Sequence, residues 1–282
     1  MKFSHTKSDI YLPTGGDADA ALARTTHLCV AAHQDDIEII AHEGIAACYD
    51  SAEGFFTGVV VTNGAGSPRT GKYAAITDEQ MQDVRRNEQR KAADIGRYNL
   101  QIQLAHPSAA VKVKGSSEVV SDLALILGAA RPRIVYLHNP ADKHDTHIGV
   151  LLRCLEAIRS LPLERRPERV VGVEVWRDLD WLVDTDKVAL DAGQHPELAG
   201  PLLEVFDSQI TGKRYDLAAL GRRAANATFH ASHQADKLTA ITWAMDLTPL
   251  TRDDRLRLGD FAVGHIQRFA ADVADRAARL GA

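Results

Sequence analysis

His27-Leu28-Cys29-Val30-Ala31-Ala32-His33-Gln34-Asp35-Asp36, continued by Ile37-Glu38-Ile39-Ile40-Ala41-His42, is the stretch that sets the fold of this chain. Its first half is a short apolar run of β-type residues, as a buried parallel strand carries. The run stops on a histidine and two adjacent carboxylates. The period then changes: Ile37, Ile40, Ala41 and Ile45 recur at helical spacing, which predicts a helix starting near Asp36 and running over about 37–50. His33, Asp35 and Asp36 therefore belong on the turn at the carboxyl end of a strand, the edge where open α/β sheets collect ligands. A His and an Asp three residues apart across such a turn can both face one metal ion, with the neighbouring Asp left over as a base.

Outward from that stretch the same strand-then-helix order repeats about five times. Phe55–Thr62 reads as the second strand, ending in the breaker-rich loop Asn63-Gly64-Ala65-Gly66-Ser67-Pro68. Thr77-Asp78-Glu79-Gln80 reads as a capping box opening a long helix to about Gly96, its predicted C-cap. Gln101–Leu104 is a weak third strand, Ser121–Leu127 a helix, and Arg133–His138 a strand ending at Asn139-Pro140-Ala141-Asp142-Lys143-His144-Asp145-Thr146-His147. A helix with apolar Ile148, Leu151, Leu152, Leu155 and Ile158 follows, then a strand over Val170–Trp176. This order predicts an α/β class, Rossmann-like, with a mostly parallel sheet between two helical layers. Residues 1–26 read as a polar lead-in with a turn at Pro13-Thr14-Gly15-Gly16 and a short Ala-rich helix. Beyond 177 the pattern loosens into an edge strand at Lys187–Asp191 and three or four helical segments. The whole of 1–282 is expected to be one domain, with a core at about 25–176. The extension over 177–282 either completes the site or makes an oligomer contact, and the tail Ala270–Ala282 reads as a charged amphipathic helix.

Composition narrows the function classes. The 282 residues are 45% hydrophobic and 25% charged with a net charge of −5, and the charges are mixed rather than blocked, so no footprint for nucleic acid or anionic lipid is present. Cys29, Cys48 and Cys154 form no CxxC pair, which argues against disulfides and a thiolate zinc site and for a reducing compartment. The start, Met1-Lys2-Phe3-Ser4-His5, has no apolar signal core, and no window offers 18 uncharged apolar residues. A cytoplasmic enzyme without membrane attachment is the expectation.

Two predicted strand ends carry chemistry: His33/Asp35/Asp36 and His144/Asp145/His147. Parallel strands bring their carboxyl ends to one edge, so the two loops can meet. Together they offer two imidazoles and a carboxylate, an ordinary three-ligand set for zinc or another first-row divalent ion. Each group alone also has a plain structural reading: Asp-Asp after a strand is a common helix N-cap, and His144 and His147 could be a solvated loop. His42 reads as a structural helix residue. Asn63-Gly64-Ala65-Gly66 lacks GxGxxG spacing and reads as a flexible loop on the substrate side, with Asn63 a candidate contact. Arg177, Asp178, Asp180 and Trp181 follow a strand end, and an aromatic with carboxylates suits a sugar ring, so Arg177 and Asp178 are candidate substrate contacts. Ser208–Asp216 and Gly221–Asn226 are dense in hydrogen-bonding groups of the kind that close a sugar pocket or bridge subunits.

A strand ending in His-x-Asp-Asp, a helix behind it, and a later His-x-x-His at another strand end resembles the PIG-L (LmbE-like) deacetylase family over roughly residues 27–160. The resemblance implies a Rossmann-like fold and one zinc, with N-acetyl groups on sugars as substrates. It implies His33, Asp36 and His147 as metal ligands, Asp35 as general base, and His144 as the group that stabilises the oxyanion or protonates the leaving amine. The family's Arg three residues before a Glu matches Arg85 and Glu88, making Arg85 a candidate substrate contact, although the two read equally well as an i,i+3 pair on a helix surface. The chain departs from the pattern at Gln34 (usually Pro), at Ile37 (usually Glu, with Glu38 one place late), and at Thr146, where His-Asp-Thr-His replaces His-Pro-Asp-His. A protonated His144 donor would give activity an alkaline limb, and Asp145 would hold His144 charged, raising its pKa and moving that limb upward. The expected reaction is hydrolysis of an N-acetylglucosamine-type amide, with an amino-sugar small molecule as partner and a homo-oligomer left open. Two alternatives stay open: a sugar-binding or regulatory protein whose chemistry has been altered on the same fold, and an amidase acting on a thiol–sugar conjugate.

Overall fold

In the computed structural model, which describes residues 1–281, eight strands form one mixed sheet in the order β1-β4-β3-β2-β5-β6-β8-β7. They are β1 (Asp9–Tyr11), β2 (His27–Ala31), β3 (Phe56–Thr62), β4 (Leu100–His106), β5 (Ile134–His138), β6 (Arg169–Val173), β7 (Lys187–Asp191) and β8 (Ile241–Asp246). The five strands from β4 to β6 are parallel, whereas β1, β8 and β7 join antiparallel. The mostly parallel α/β sheet expected from the sequence is present.

Both faces of that central sheet are covered. Leu28 and Val30 of β2 enter one apolar core together with Val59, Val61, Leu123 and Leu151, while Cys29 and Ala31 enter a second core on the opposite face with Ile37, Ile40 and Tyr98. Alternating residues of one strand thus feed two cores, which is why β2 reads as an unbroken apolar run. The capping box at Thr77 forms as predicted: Thr77 Oγ1 accepts from Gln80 N at 3.2 Å, and Gln80 Oε1 accepts from Thr77 N at 2.8 Å, opening the helix Asp78–Ile95. Gly96 is its C-cap, but the left-handed residue is Arg97 at φ 49°.

Several local expectations are corrected. The lead-in contains β1 as well as the short helix Ala18–Ala23. The single helix expected over 37–50 is two short ones, Asp36–Ile40 and His42–Cys48, divided at Ala41 (φ −117°, ψ 26°). β6 stops at Val173, so Glu174, Val175 and Trp176 lie beyond the strand. Among the described residues the extension holds six α-helices and one 3-10 turn rather than three or four helical segments, and it contributes β8, which inserts between β6 and the expected edge strand β7. The sheet therefore runs on through residues beyond 177. The last helix, Leu258–Arg279, covers most of the amphipathic tail and leaves Val263, Ile266 and Val273 exposed; Ala282 lies outside the described residues.

β2 has β3 on one side and β5 on the other. The chain goes from β2 to β3 and β4 in one direction, then returns to β5 and β6 on the other. The crevice between the carboxyl ends of β2 and β5 is the topological switch point of the sheet, where α/β folds place their ligands.

Candidate metal and catalytic centre

Both histidine-aspartate loops leave the sheet at this crevice. After β2 the backbone turns through Asp35 at φ 92°, ψ −30°, a conformation non-glycine residues seldom adopt. That turn folds Asp36 back so that its Oδ2 accepts from His33 N at 2.8 Å and lies 3.2 Å from His33 Nδ1. After β5, the helix Asp145–Ser160 carries His147 in its first turn, with Nε2 3.3 Å from both Asp36 Oδ2 and His33 Nδ1. Three metal-ligating atoms from two loops thus converge within hydrogen-bond distance of one another. Two imidazole nitrogens and a carboxylate oxygen meeting in this way are a donor set that fits zinc or a similar divalent ion.

The electrostatics agree with a shared cationic occupant. Burial alone would raise the Asp36 carboxyl, but His147, His33 and His138 outweigh it and hold Asp36 well below the usual carboxylate range. Burial opposes charge on His147, yet Asp36 and Asp142 push it up to about 10. Asp36 and His147 by themselves are therefore a carboxylate–imidazolium pair. A divalent ion bound there would take the place of that imidazolium proton, since imidazole ligates as the free base.

The surrounding groups orient the ligands. Asp142 Oδ1 lies 3.3 Å from His147 Nδ1, close enough to pair although off the line of a hydrogen bond. Asp142 is itself held by His144 N at 3.0 Å and Trp176 N at 3.2 Å. The His138 ring stacks on His147 at 3.9 Å, and its Nε2 accepts from Ala32 N at 2.9 Å. Burial and the charge of His147 keep His138 neutral, well below the ordinary histidine value. The sequence reading did not single out His138 or Asp142. Their only signal is position, at the end of β5 and two residues before His144.

Asp35 points differently from Asp36. Its Oδ2 accepts from the Tyr215 hydroxyl and lies 3.3 Å from Arg85 Nη2. Burial pushes the Asp35 carboxyl up, Arg85 opposes this, and Asp36 adds to the rise. A carboxylate tuned upward beside a metal-ligand cluster suits a general base.

The remaining candidates fall as follows. His144 sits beside His33 and His147, with ring centroids 5.0 and 4.8 Å away, and its Nδ1 accepts from Thr146 N at 3.2 Å. Burial, His147 and His33 push it below the ordinary value, so the expected raising by Asp145 is reversed. Asp145 opens the helix, and His144 Nδ1 accepts from the Thr146 amide instead of carrying a proton toward a carboxylate. Arg85 is 1% exposed and directs Nη2 at Gln34 O and Asp35, which places it against the Asp35 carboxylate. Its helix neighbour Glu88 is 3.7 Å away and accepts from Ser208 N and Oγ, both at 2.7 Å. Asn63 caps its own loop through Ala65 N at 3.1 Å. Gly64 there has φ +72°, and a Cβ would come within 2.7 Å of Gln34 Oε1, so the loop presses on the metal turn. Arg177 and Asp178 are exposed, and neither lines the cavity beside Asp35 and Asp36; the aromatics on that cavity are Trp176 and Tyr215, not Trp181.

The departures from the motif have local accounts. Gln34 is buried and bridges to Gln103 Oε1 at 3.1 Å. Ile37 fills a core. Glu38 accepts from Tyr98 and Gln89, at 2.7 and 2.8 Å, tying the Asp36–Ile40 helix down.

Residues 28–158 match the family model described as PIG-L: GlcNAc-PI de-N-acetylase. No curated protein sequence matches the chain. Among solved structures, N,N′-diacetylchitobiose deacetylase from Pyrococcus horikoshii aligns with a TM-score of 0.62 at 17% identity, covering 81% of this chain and 86% of its own. A conserved protein from Thermus thermophilus aligns at 0.59 and 16%, covering 83% and 99%. The 4-carboxy-2-hydroxymuconate hydratase from Pseudomonas putida aligns at 0.59 and 17%, covering 79% and 96%. At these identities the structural likeness establishes the fold they share. The PIG-L family match thus spans the residues that carry both histidine-aspartate loops.

Proposed function

We propose that this protein is a divalent-metal-dependent amide hydrolase that removes an acetyl group from an N-acetylated amino sugar or its conjugate, zinc being the expected ion. The observation that carries the proposal is the convergence of His33 Nδ1, Asp36 Oδ2 and His147 Nε2 beside a separate, differently held carboxylate, Asp35. The family match and the deacetylases among the structural neighbours support the same reading.

His33, Asp36 and His147 would hold the ion. When bound, it supplies Lewis-acid polarisation of the amide carbonyl and makes water a stronger acid. Asp35, with Oδ2 fixed by Tyr215 and Arg85, presents Oδ1 to the attacking water and takes its proton as oxygen bonds to the carbonyl carbon. His144 has Nδ1 engaged by Thr146 N, so the neutral ring carries its proton on Nε2 and can donate it to the oxygen where charge develops. As the C–N bond breaks, Asp35 returns its proton to the nitrogen, releasing acetate and a free amine.

Metal content of the purified protein and acetate release from N-acetylglucosamine and N,N′-diacetylchitobiose test this reading. Close to one divalent ion per chain with acetate release is expected. Because a hydratase shares the fold, release of acetate is the deciding measurement; a metal-loaded protein inert toward every N-acetyl sugar overturns the proposal.

A further inference from the structure

One face of the last helix, Leu258–Arg279, holds it to the body. Leu258 and Phe261 pack against the core, His265 is buried with Nδ1 3.0 Å from Asp186 Oδ2, and Arg268 Nε donates to the same oxygen at 2.8 Å. From residue 269 onward the body covers little of the helix. Among the described residues none of 269–281 is buried, and their one side-chain ion pair stays within the helix, Arg276 Nε lying 2.9 Å from Asp272 Oδ2.

A second face carries a seam. Val263, Ile266, Ala270, Val273, Ala277 and Leu280 recur at alternating spacings of three and four, the a and d positions of a heptad. Val263, Ile266, Val273 and Leu280 are 50%, 46%, 52% and 88% exposed, and both alanines are exposed as well. Helices in proteins draw most of their stability from packing an apolar face, and this seam receives no such packing from its own chain. A strict a/d stripe is also narrower than the one a helix lays against a globular body, and it has the shape that takes another helix.

The occupant that fits is a second copy of the same seam. Set antiparallel about a twofold axis between Ala271 and Asp272, Val263 faces Leu280 of the second copy, Ile266 faces its Ala277 and Ala270 faces its Val273. Each alanine then meets a larger side chain, and every layer is filled. A parallel pair stacks Ala270 on Ala270 and Ala277 on Ala277, leaving two thin layers. A twofold contact requires this self-complementarity. The charges permit it too: Asp260, Asp272 and Asp275 balance Arg268, Arg276 and Arg279, and none of them occupies an a or d position. The seam is about 26 Å long at 1.5 Å per residue, a contact at the small end of specific interfaces, which sets a micromolar dimer rather than an obligate one.

We propose that this helix pairs antiparallel with its equivalent in a second copy, joining the protein into a twofold dimer through these six residues. None of the six lines the cavity beside Asp35 and Asp36, so the pairing stands independently of the amide-hydrolase reading.

Sedimentation equilibrium of the whole chain from about 1 to about 100 µM tests it. The mass should rise from 30.7 kDa toward twice that value across the range. Val273→Glu places a charge in the central layer of the dimer but in solvent on the monomer. It should weaken association by at least about a hundredfold and leave the melting curve of the dilute protein unchanged. Ala278→Glu, on the same exposed turns but outside the seam, should still dimerise. Register is read by cross-linking: oxidising a mixture of Ile266→Cys and Ala277→Cys proteins should give a disulfide dimer that neither gives by itself. A mass that stays at 30.7 kDa throughout, a Val273→Glu protein that still dimerises, or self-cross-linking of either cysteine variant overturns the inference.

Discussion

Asp35 and Asp36 are neighbours in sequence with different surroundings, and their amide variants should separate. Asp36 Oδ2 lies 3.2 Å from His33 Nδ1 and 3.3 Å from His147 Nε2, inside the ligand cluster. Asp36→Asn keeps the size and removes the charge, leaving two imidazoles to hold the ion. Unit charges about 4 Å apart interact by about 4 kcal/mol at an effective dielectric of 20. Even half of that, lost between carboxylate and ion, weakens the site by about thirtyfold. Asp35 is directed at Tyr215 and Arg85 instead. Asp35→Asn should therefore keep its metal and lose about 10²–10⁴ in turnover, the usual worth of a general base. It should also destabilise the fold, since Arg85 is 1% exposed and loses one carboxylate, with Glu88 at 3.7 Å as the remaining partner. Breaking a buried pair outright costs about 3–5 kcal/mol, so a smaller loss is expected here. The assay is metal per chain after dialysis against a weak chelator, with acetate release and a melting curve on the same samples. If Asp35→Asn loses metal as readily as Asp36→Asn, the division of roles is refuted.

Three further outcomes are expected. His144→Ala should lower kcat and kcat/KM together by about 10²–10³ with KM little changed, as for a lost oxyanion donor. Because His144 sits below the ordinary value and is neutral at pH 7, wild type should show no alkaline limb that disappears in this variant; finding one would restore the charged-donor reading. Tyr215→Phe should leave metal content unchanged while reducing kcat by about tenfold or more, from loss of a hydrogen bond to a charged base; an unchanged kcat would remove Tyr215 from catalysis. His42 is buried with both ring nitrogens unpartnered among the described residues, and burial, with Arg223 and His195, pushes it down to about 3. Between pH 6.5 and about 3 the unfolded chain binds a proton there that the native one does not. Its contribution to stability is thus intact above pH 6.5 and is lost by about 1 kcal/mol per unit as pH falls below it. His42→Leu should flatten the acid side of a plot of unfolding free energy against pH, and an unaltered slope would show that His42 is not the titrating group.

Much of this architecture is legible in the sequence because it is local. A strand buried on both faces has to be apolar at every position, so β2, β3 and β5 announce themselves, and the polar residues that interrupt them mark the sheet edge where His33, Asp36 and His147 meet. The capping box at Thr77 is legible for the same reason, its partners lying within four residues of one another. The edges of the sheet are not. β1 and β8 depend on antiparallel pairing with β4, β6 and β7 far along the chain, and nothing within a three- or six-residue strand states its partner. The same limit hides the groups around Asp35. Tyr215 reaches Asp35 across 180 positions, and Glu174, Arg223 and Thr242 come to one cavity from three separate segments. Adjacency also makes Asp35 and Asp36 look alike in sequence. Only the turn at φ 92° sends one carboxylate to the ligand cluster and the other to Tyr215 and Arg85. Spacing along a strand or helix determines which residues reach the sheet edge, whereas their partners there are decided by contacts that exist only once distant segments have packed.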